Sequence, residues 1–391
     1  MIQLNDFKRQ WAEIGPAAMA AVERVGESGG YILGREVELF EQKLAEFWGI
    51  THAVGVANGM DAIEIALRAL NLQTGQKVLT TPFSAFATTL AILRAGGVPV
   101  YVDVDDSGNI DLDQCRDLLA RDTLVRFFVP VHLYGNPLNL EKLAALKRDF
   151  DLNLIEDCAQ AIGAKYDGRS VGTVGQVAAT SFYPTKNLGA IGDAGALLTN
   201  VRAIAARAKA IRNYGQSSLY VHDERGLNSR LDEVQAAILG DAMLPNLQRW
   251  TEARREIAGR YRSEIHNPSI RLLEPSSSVE SVWHLFPIFL EPSRRDNLRQ
   301  QLLTVEIRTG IHYPRVIPDQ VAMNSATFVM AVEPLNARRL AASELSLPIH
   351  PFLAEGELQA IISTCGASGA PENVAPIPTQ AVASEAMPQV S

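Results

Sequence analysis

Cysteine is scarce in this chain. Three residues, Cys115, Cys158 and Cys365, lie far apart among 391, with no C-x-x-C spacing. That argues against a disulfide framework and a zinc site, and it fits a reducing cytoplasm. Long apolar runs are missing as well: nowhere do about eighteen uncharged apolar residues stand together, and the start MIQLNDFKRQWAEIG has no apolar stretch after a basic end. Neither membrane insertion nor export is expected. There is no run of like charges, and 44 acidic side chains outweigh 36 basic ones for a net charge of -8, so nucleic acid is not an expected partner. A few local Arg or Lys residues still suffice to hold a nucleotide-sugar. Neither a Walker A loop nor a G-x-G-x-x-G fingerprint occurs, which removes the usual support for ATP and dinucleotides. His132, His312 and His350 form no pair at ligand spacing and read as structural histidines, so no metal is expected.

What the chain does have is regular alternation. From about Val37 to Leu198, helix-period stretches (VELFEQKLAEF, DAIEIALRAL, ATTLAILRAGG, DLDQCRDLLA, LEKLAALKRDF) alternate with short apolar ones (HAVGVAN, KVLTTPF, PVYVDVD, VRFFVPVHLYG, LNLIEDCA). Apolar strands between amphipathic helices predict an α/β fold, with a mostly parallel sheet covered on both faces and its functional loops along one edge. Helices over NSRLDEVQAAIL and LQRWTEARREIAGRYRSEI follow. Then come a strand in VWHLFPIFLE, a helix in RRDNLRQQLLT, a Pro-interrupted loop around HYPRVIPDQ and a last helix from about Ala354. We expect a large domain over 1–245, a smaller α+β domain over 246–365, and a disordered Ala/Pro/Ser-rich tail over 366–391. The N-terminal residues are candidates to pack on the small domain.

Four segments carry candidate chemistry. In TSFYPTKNLGAIGDAGALLT, Lys186 sits on a bounded loop between two strands, five residues after Ser181. It reads either as a solvated surface lysine or as a desolvated amine of the kind a Schiff base requires. Asp157 ends the apolar strand of LNLIEDCAQAIGA, with Gln160 three positions on. Such a carboxylate either caps the next helix or holds a cationic partner, a protonated pyridinium being one. In VANGMDAIEIALRAL, the Asn58-Gly59 turn opens a helix whose free N–H groups attract a phosphate. Phe86, after the proline turn of TTPFSAFATTLAIL, either stacks on a planar ring or belongs to the core.

Together these segments resemble the DegT/DnrJ/StrS family of sugar aminotransferases. The likeness runs from LNDFKRQ to LPIHPFL through GGYILGREVELFEQKLAEFWG, GVANGMDAIEIAL, EDCAQAIGA, SFYPTKNLGAIGDAGA, RNYG and GLNSRLDEVQAAIL. It implies the fold type I architecture of pyridoxal 5'-phosphate (PLP) enzymes, with a mostly parallel seven-stranded sheet and a smaller C-terminal α+β domain. It also implies Lys186 as the lysine bonded to the cofactor, Asp157 on the pyridine nitrogen, Gln160 at the ring oxygen and Phe86 stacked on the ring. The phosphate would lie on the Gly59 and Met60 amides, the Ser181 hydroxyl and Asn228 of a neighbouring subunit, so a homodimer with composite active sites is implied. Two departures stand out: Ala194 makes GDAGA of the commoner GDGGA, and Leu219 replaces a frequent basic residue.

By the same resemblance, L-glutamate donates the amino group and a nucleotide-linked keto-sugar receives it. The SFYPTKNLGA form of the lysine motif points to C3 of a dTDP-3-oxo-6-deoxyhexose, with a 4-keto or a UDP-3-oxo-uronate substrate as alternatives. Tyr31, Tyr183, His312 and Tyr313 are candidate sugar contacts, and Arg230 a candidate for the nucleotide or the donor carboxylate. A dehydratase of the same family would have histidine where Lys186 stands. A non-catalytic regulator would have no reason to keep Lys186, Asp157, Ser181 and the aromatic together.

Overall fold

Apolar stretches of three to five residues become the central strands of the computed structural model, which describes residues 1–367. They are β1 (His52–Val56), β2 (Lys77–Thr80), β3 (Val98–Tyr101), β4 (Phe127–Val129), β5 (Asn153–Asp157), β6 (Val177–Ser181) and β7 (Gly195–Thr199). The sheet order is β1-β7-β6-β5-β4-β2-β3, with β7 antiparallel to both its neighbours and the other pairs parallel. An eighth strand, Val329–Met330, joins in parallel beside β3. The expected seven strands are therefore extended by one, whose two residues are too short to carry a period-2 pattern.

Helices cover both faces. Helix α1 (Phe7–Ser28), absent from the expected elements, is capped by the Asp6 carboxylate and buries Ile14, Ala18, Ala21 and Val25 despite an internal Pro16. Helices α2 (Arg35–Trp48), α3 (Gly59–Ala69), α4 (Phe86–Arg94), α5 (Leu112–Arg121) and α6 (Leu140–Asp149) lie at the predicted places, and α7 (Arg202–Ile211) is additional. Helix α3 is the most deeply set. Its Ile63, Ile65 and Leu67 are all buried in one cluster with residues of β1, β5, β6 and β7, each contributing about 1.5–3 kcal/mol of apolar burial.

After β7 the chain runs through α8 (Glu233–Ile238), where a longer helix from Asn228 is expected; residues 228–232 are instead irregular, with Asn228 bridging Asn213. Helix α9 (Leu247–Glu264) leads to a three-stranded antiparallel sheet. In it β8 (Phe286–Phe289) lies between Arg271–Leu272 and β9 (Glu344–Leu347). Helices α10 (Pro292–Thr304), α11 (Leu335–Ser343) and α12 (Glu355–Ala367) complete this part. Its core around Tyr261, Phe286, Ile288, Leu340 and Ile361 is continuous with Phe83, Val104, Val131, Leu133 and Tyr134 of the first part. We propose two domains dividing near residue 246 on the strength of the separate three-stranded sheet. Ile2 bridges Ile307, and Arg9 forms a bidentate pair with Glu357. Gly366 and Ala367 close α12, and the rest of the expected disordered tail lies outside the described residues. Among those residues no helix is long and apolar enough to cross a membrane.

Candidate functional site

The C-terminal ends of the parallel strands bring the singled-out residues to one edge, as the topology requires. Strand β5 ends at Asp157 and β6 at Ser181; β1 delivers Asn58 to the start of α3. Strand β7 starts at this same edge, because Gly195 pairs with both Val56 and Ser181. The Asn58 side chain caps α3 by accepting from the Asp61 N–H at 2.8 Å, which leaves the Gly59 and Met60 N–H groups at the positive end of the helix. Glycine is needed here. A Cβ on Gly59 would lie 2.7 Å from Ser181 Cβ, and one on Gly195 would lie 2.3 Å from the Asn58 carbonyl carbon.

Asp157 is buried, and its carboxylate accepts from the Thr88 hydroxyl at 2.7 Å and the Ala159 N–H at 3.0 Å. Burial pushes its pKa up, against the pull of Thr88, Ala159 and the Lys186 charge. The Lys186 N–H closes a turn onto the Tyr183 carbonyl at 2.8 Å, and burial pushes its side-chain amine down to about 8, opposed by the Asp157 charge. Asp157 is buried and Lys186 half-buried, and at each of the two burial disfavours the charged form.

Gln160 faces the small domain. Its Oε1 accepts from the Tyr134 N–H and its Nε2 donates to the Tyr313 hydroxyl, both at 2.8 Å; the second Nε2 hydrogen stays available. Phe86 opens α4, the helix that carries Thr88, and packs beside Tyr101, Ile317 and Met323. His312 lies near enough to Lys186 for the lysine charge to help burial drive its pKa down to about 4. Thr88, His284 and Glu344 escaped the sequence reading. His284 is buried, contacts Asn187 at 3.3 Å, and is held well below its usual pKa by burial and by Lys186, Arg254 and His312. Trp283 and Tyr313, neighbours of the two histidines, have φ of 45° and 67°, conformations that are costly without glycine.

The other candidates stand apart. Tyr31 and Tyr183 are exposed, at 58% and 50%. Asn228 is exposed, and Arg230 donates to Asn213 Oδ1 at 3.1 Å with its guanidinium over the Tyr214 ring. Ser229, between them, accepts from the Ala57 N–H at 3.1 Å, so this segment runs beside the end of β1. His132 is structural: it accepts from the Leu138 N–H at Nδ1 and meets the Glu156 carboxylate at 3.1 Å through Nε2. Glu156 also takes the N–H groups of Gly172, Val174 and Gly175.

Glu344 is fully buried on β9, and burial raises its carboxyl to about 8. A carboxyl with a raised folded pKa holds a proton on folding. Its contribution is full below the unfolded value and is lost as pH rises through about 8. Glu344→Gln is therefore expected to gain on wild type as pH rises from about 5 to about 8, by at most about 1.4 kcal/mol per pH unit in urea unfolding. A pH-independent difference would mean that Glu344 ionises normally.

Comparison with known proteins identifies the family. The profile of the DegT/DnrJ/EryC1/StrS aminotransferase family matches residues 12–365. The chain belongs to that family. The dTDP-3-amino-3,6-dideoxy-alpha-D-galactopyranose transaminase of Aneurinibacillus thermoaerophilus is 38% identical over 94% of this chain and 100% of its own. A pleiotropic regulatory protein of Geobacillus stearothermophilus is also 38% identical, over 92% and 96%. The crystal structure of Streptomyces venezuelae DesV, in complex with a ketimine intermediate, superposes with a TM-score of 0.88 at 37% identity, covering 93% of this chain and 97% of DesV. The sheet and small domain described above are the fold type I architecture of these aminotransferases.

Proposed function

We propose that this protein is a PLP-dependent aminotransferase that moves an amino group from L-glutamate to a nucleotide-linked keto-sugar, at C3 of a dTDP-3-oxo-6-deoxyhexose. The observation that carries the reading is the half-buried Lys186, close enough for its charge to act on the buried Asp157 at the strand edge. The residues suit the cofactor. A buried carboxylate with a raised pKa calls for a cation, which a protonated pyridine ring is. A helix start whose glycine lies against Ser181, with no room for a Cβ, suits a phosphate.

PLP, when bound, supplies a carbonyl that bonds amines and a ring that accepts electrons. Lys186 Nζ, with burial pushing its pKa down to about 8, is partly neutral at physiological pH; it would be the amine that holds that carbonyl and the base that moves the proton at the substrate carbon. Asp157 would keep the ring nitrogen protonated, and Thr88 fixes the carboxylate that would do so. Gly59, Met60 and Ser181 would hold the phosphate, and Phe86 and Gln160 would hold the ring. Asn228 serves the neighbouring subunit's phosphate in a homodimer, consistent with its exposure in the single chain. Tyr31, Tyr183, His312, Tyr313 and Arg230 are the substrate contacts of this proposal. Three buried, unpaired cysteines fit a cytoplasmic setting.

The C3 preference rests on the Tyr183 motif and on likeness to the Aneurinibacillus transaminase. Product NMR after incubation with 3-oxo and 4-oxo dTDP-sugars tests it; amination only at C4 would refute it. A regulatory reading, prompted by the Geobacillus relative, is disfavoured by the complete lysine, aspartate and phosphate cradle.

The phosphate cradle has its own test. The Cβ of Gly195→Ala would press on Asn58 and on the Gly59 nitrogen, at 2.3 and 2.7 Å. PLP affinity is expected to weaken about tenfold or more in an absorbance titration, a cost of about 1.4 kcal/mol. Unchanged affinity would place the phosphate elsewhere.

A further inference from the structure

Strand β9 carries two polar side chains with no exposure, Glu344 and Ser346, spaced two apart and so on one face. Leu345 and Leu347 point the other way, into the small-domain core. The polar face looks onto the Gly310–His312 segment, which is tied to Ser346 by two backbone hydrogen bonds. Ser346 Oγ contacts Glu344 Oε1 and lies 2.8 Å from His312 Nδ1, while Glu344 Oε2 accepts the His312 N–H at 2.5 Å. Carboxyl, hydroxyl and imidazole thus form an unbroken line from a buried acid to the histidine beside Lys186. A Cβ on Gly310 would fall 2.8 Å from His312 Cε1, so the ring is braced from that side too.

We propose that Glu344 is a positioning residue that acts through Ser346 to set which nitrogen of His312 carries the proton, and so whether His312 offers the pocket a donor or an acceptor. The hydrogens available fix the two arrangements. Ser346 has one hydroxyl proton. When Glu344 is a carboxylate, Ser346 donates to it and must accept from His312 Nδ1–H, which leaves Nε2 as an acceptor. When Glu344 is a neutral acid, it donates to Ser346, Ser346 donates to Nδ1, and the remaining imidazole proton sits on Nε2. The two states differ by one proton. A proton taken up at Nε2 is matched by transfer of the Nδ1 proton to Ser346 Oγ and of the Ser346 proton to Glu344. The imidazole is neutral in both states, as its burial near Lys186 demands.

The groups facing this line are few. Arg295 of α10 acts on Glu344 from outside, Tyr134 and Tyr313 lie within reach of its charge, and Lys186 and His284 face His312. The Ser346 hydroxyl, the His312 N–H and Arg295 favour the carboxylate, and burial, which favours the acid, outweighs them. A pocket meant for sugar hydroxyls, under the aminotransferase reading on which the catalytic consequence rests, gains from a histidine that changes its hydrogen-bond sense without becoming charged.

The test is 15N NMR of histidine-labelled full-length protein, with His312→Gln assigning the resonance among the seven histidines. In wild type, raising the pH from roughly 6 to roughly 9.5 is expected to exchange the two ring-nitrogen shifts of His312, Nε2 passing from pyrrole-type to pyridine-type. Glu344→Gln, whose amide donates as the neutral acid does, is expected to hold Nε2 pyrrole-type throughout. The variant should also abolish any step of matching midpoint in the pH profile of KM for the sugar. A single tautomer across the whole range in wild type would overturn the proposal without any variant having to fold. Tautomer exchange with no effect on KM for the sugar would leave the switch intact and remove His312 from the substrate contacts, whereas tautomer exchange in a protein that transaminates no keto-sugar would count against the aminotransferase reading instead.

Discussion

Lys186→Ala is expected to abolish transamination, with a loss on the order of 10⁴-fold or more, because one side chain both anchors the cofactor and moves the substrate proton. The visible absorbance that wild type gains with PLP, and loses again on adding L-glutamate, should be absent. The environment adds a finer expectation. Burial sets the Lys186 amine at about 8, so the rate at which cofactor-free protein captures PLP should rise with pH to a midpoint near that value. A midpoint at the ordinary lysine value would mean that the amine is solvated. A variant that keeps its activity would remove Lys186 from the chemistry altogether.

Asp157→Asn is expected to cost on the order of 10²–10³-fold in kcat, the scale of losing a preorganised electrostatic partner. Asparagine can still accept from Thr88, so the local hydrogen bond at 2.7 Å survives while the charge goes. What is lost is the anion that holds a proton on the ring nitrogen. The same change has a second readout whose sign is fixed. The Asp157 charge raises the Lys186 pKa, so removing it should move the midpoint of PLP capture below about 8. Wild-type kcat in this variant would leave the buried carboxylate with a structural role only.

The layered fold was legible because its elements obey their periods. The near-continuous apolar character of β1 to β7 and the stripes of α2 to α6 led to the sheet observed. Helix α1 was hidden by Pro16, which ordinarily breaks a helix interior, although Ile14, Ala18, Ala21 and Val25 keep the spacing of one face. Lys186, Asp157, Gln160 and Gly59 stand in motifs that follow or end strands, and the fold carries those strand ends to one edge. Thr88, His284 and Glu344 gave no local signal. Thr88 looks like any helix residue until the fold carries it to Asp157, 69 positions away. Glu344 sits in a short strand of alternating polar and apolar residues, where nothing in sequence says that its neighbour is His312, 32 positions earlier. Pairings of that kind come from tertiary packing and cannot be read from spacing.

The central claim is that Lys186 is the residue that bonds the cofactor. Borohydride reduction of the PLP-loaded protein, followed by proteolysis and mass spectrometry of the peptides, reads it directly. One pyridoxyl-phosphate adduct per chain is expected, on the peptide that contains Lys186. An adduct on another lysine, or none on protein that has bound PLP, would contradict it.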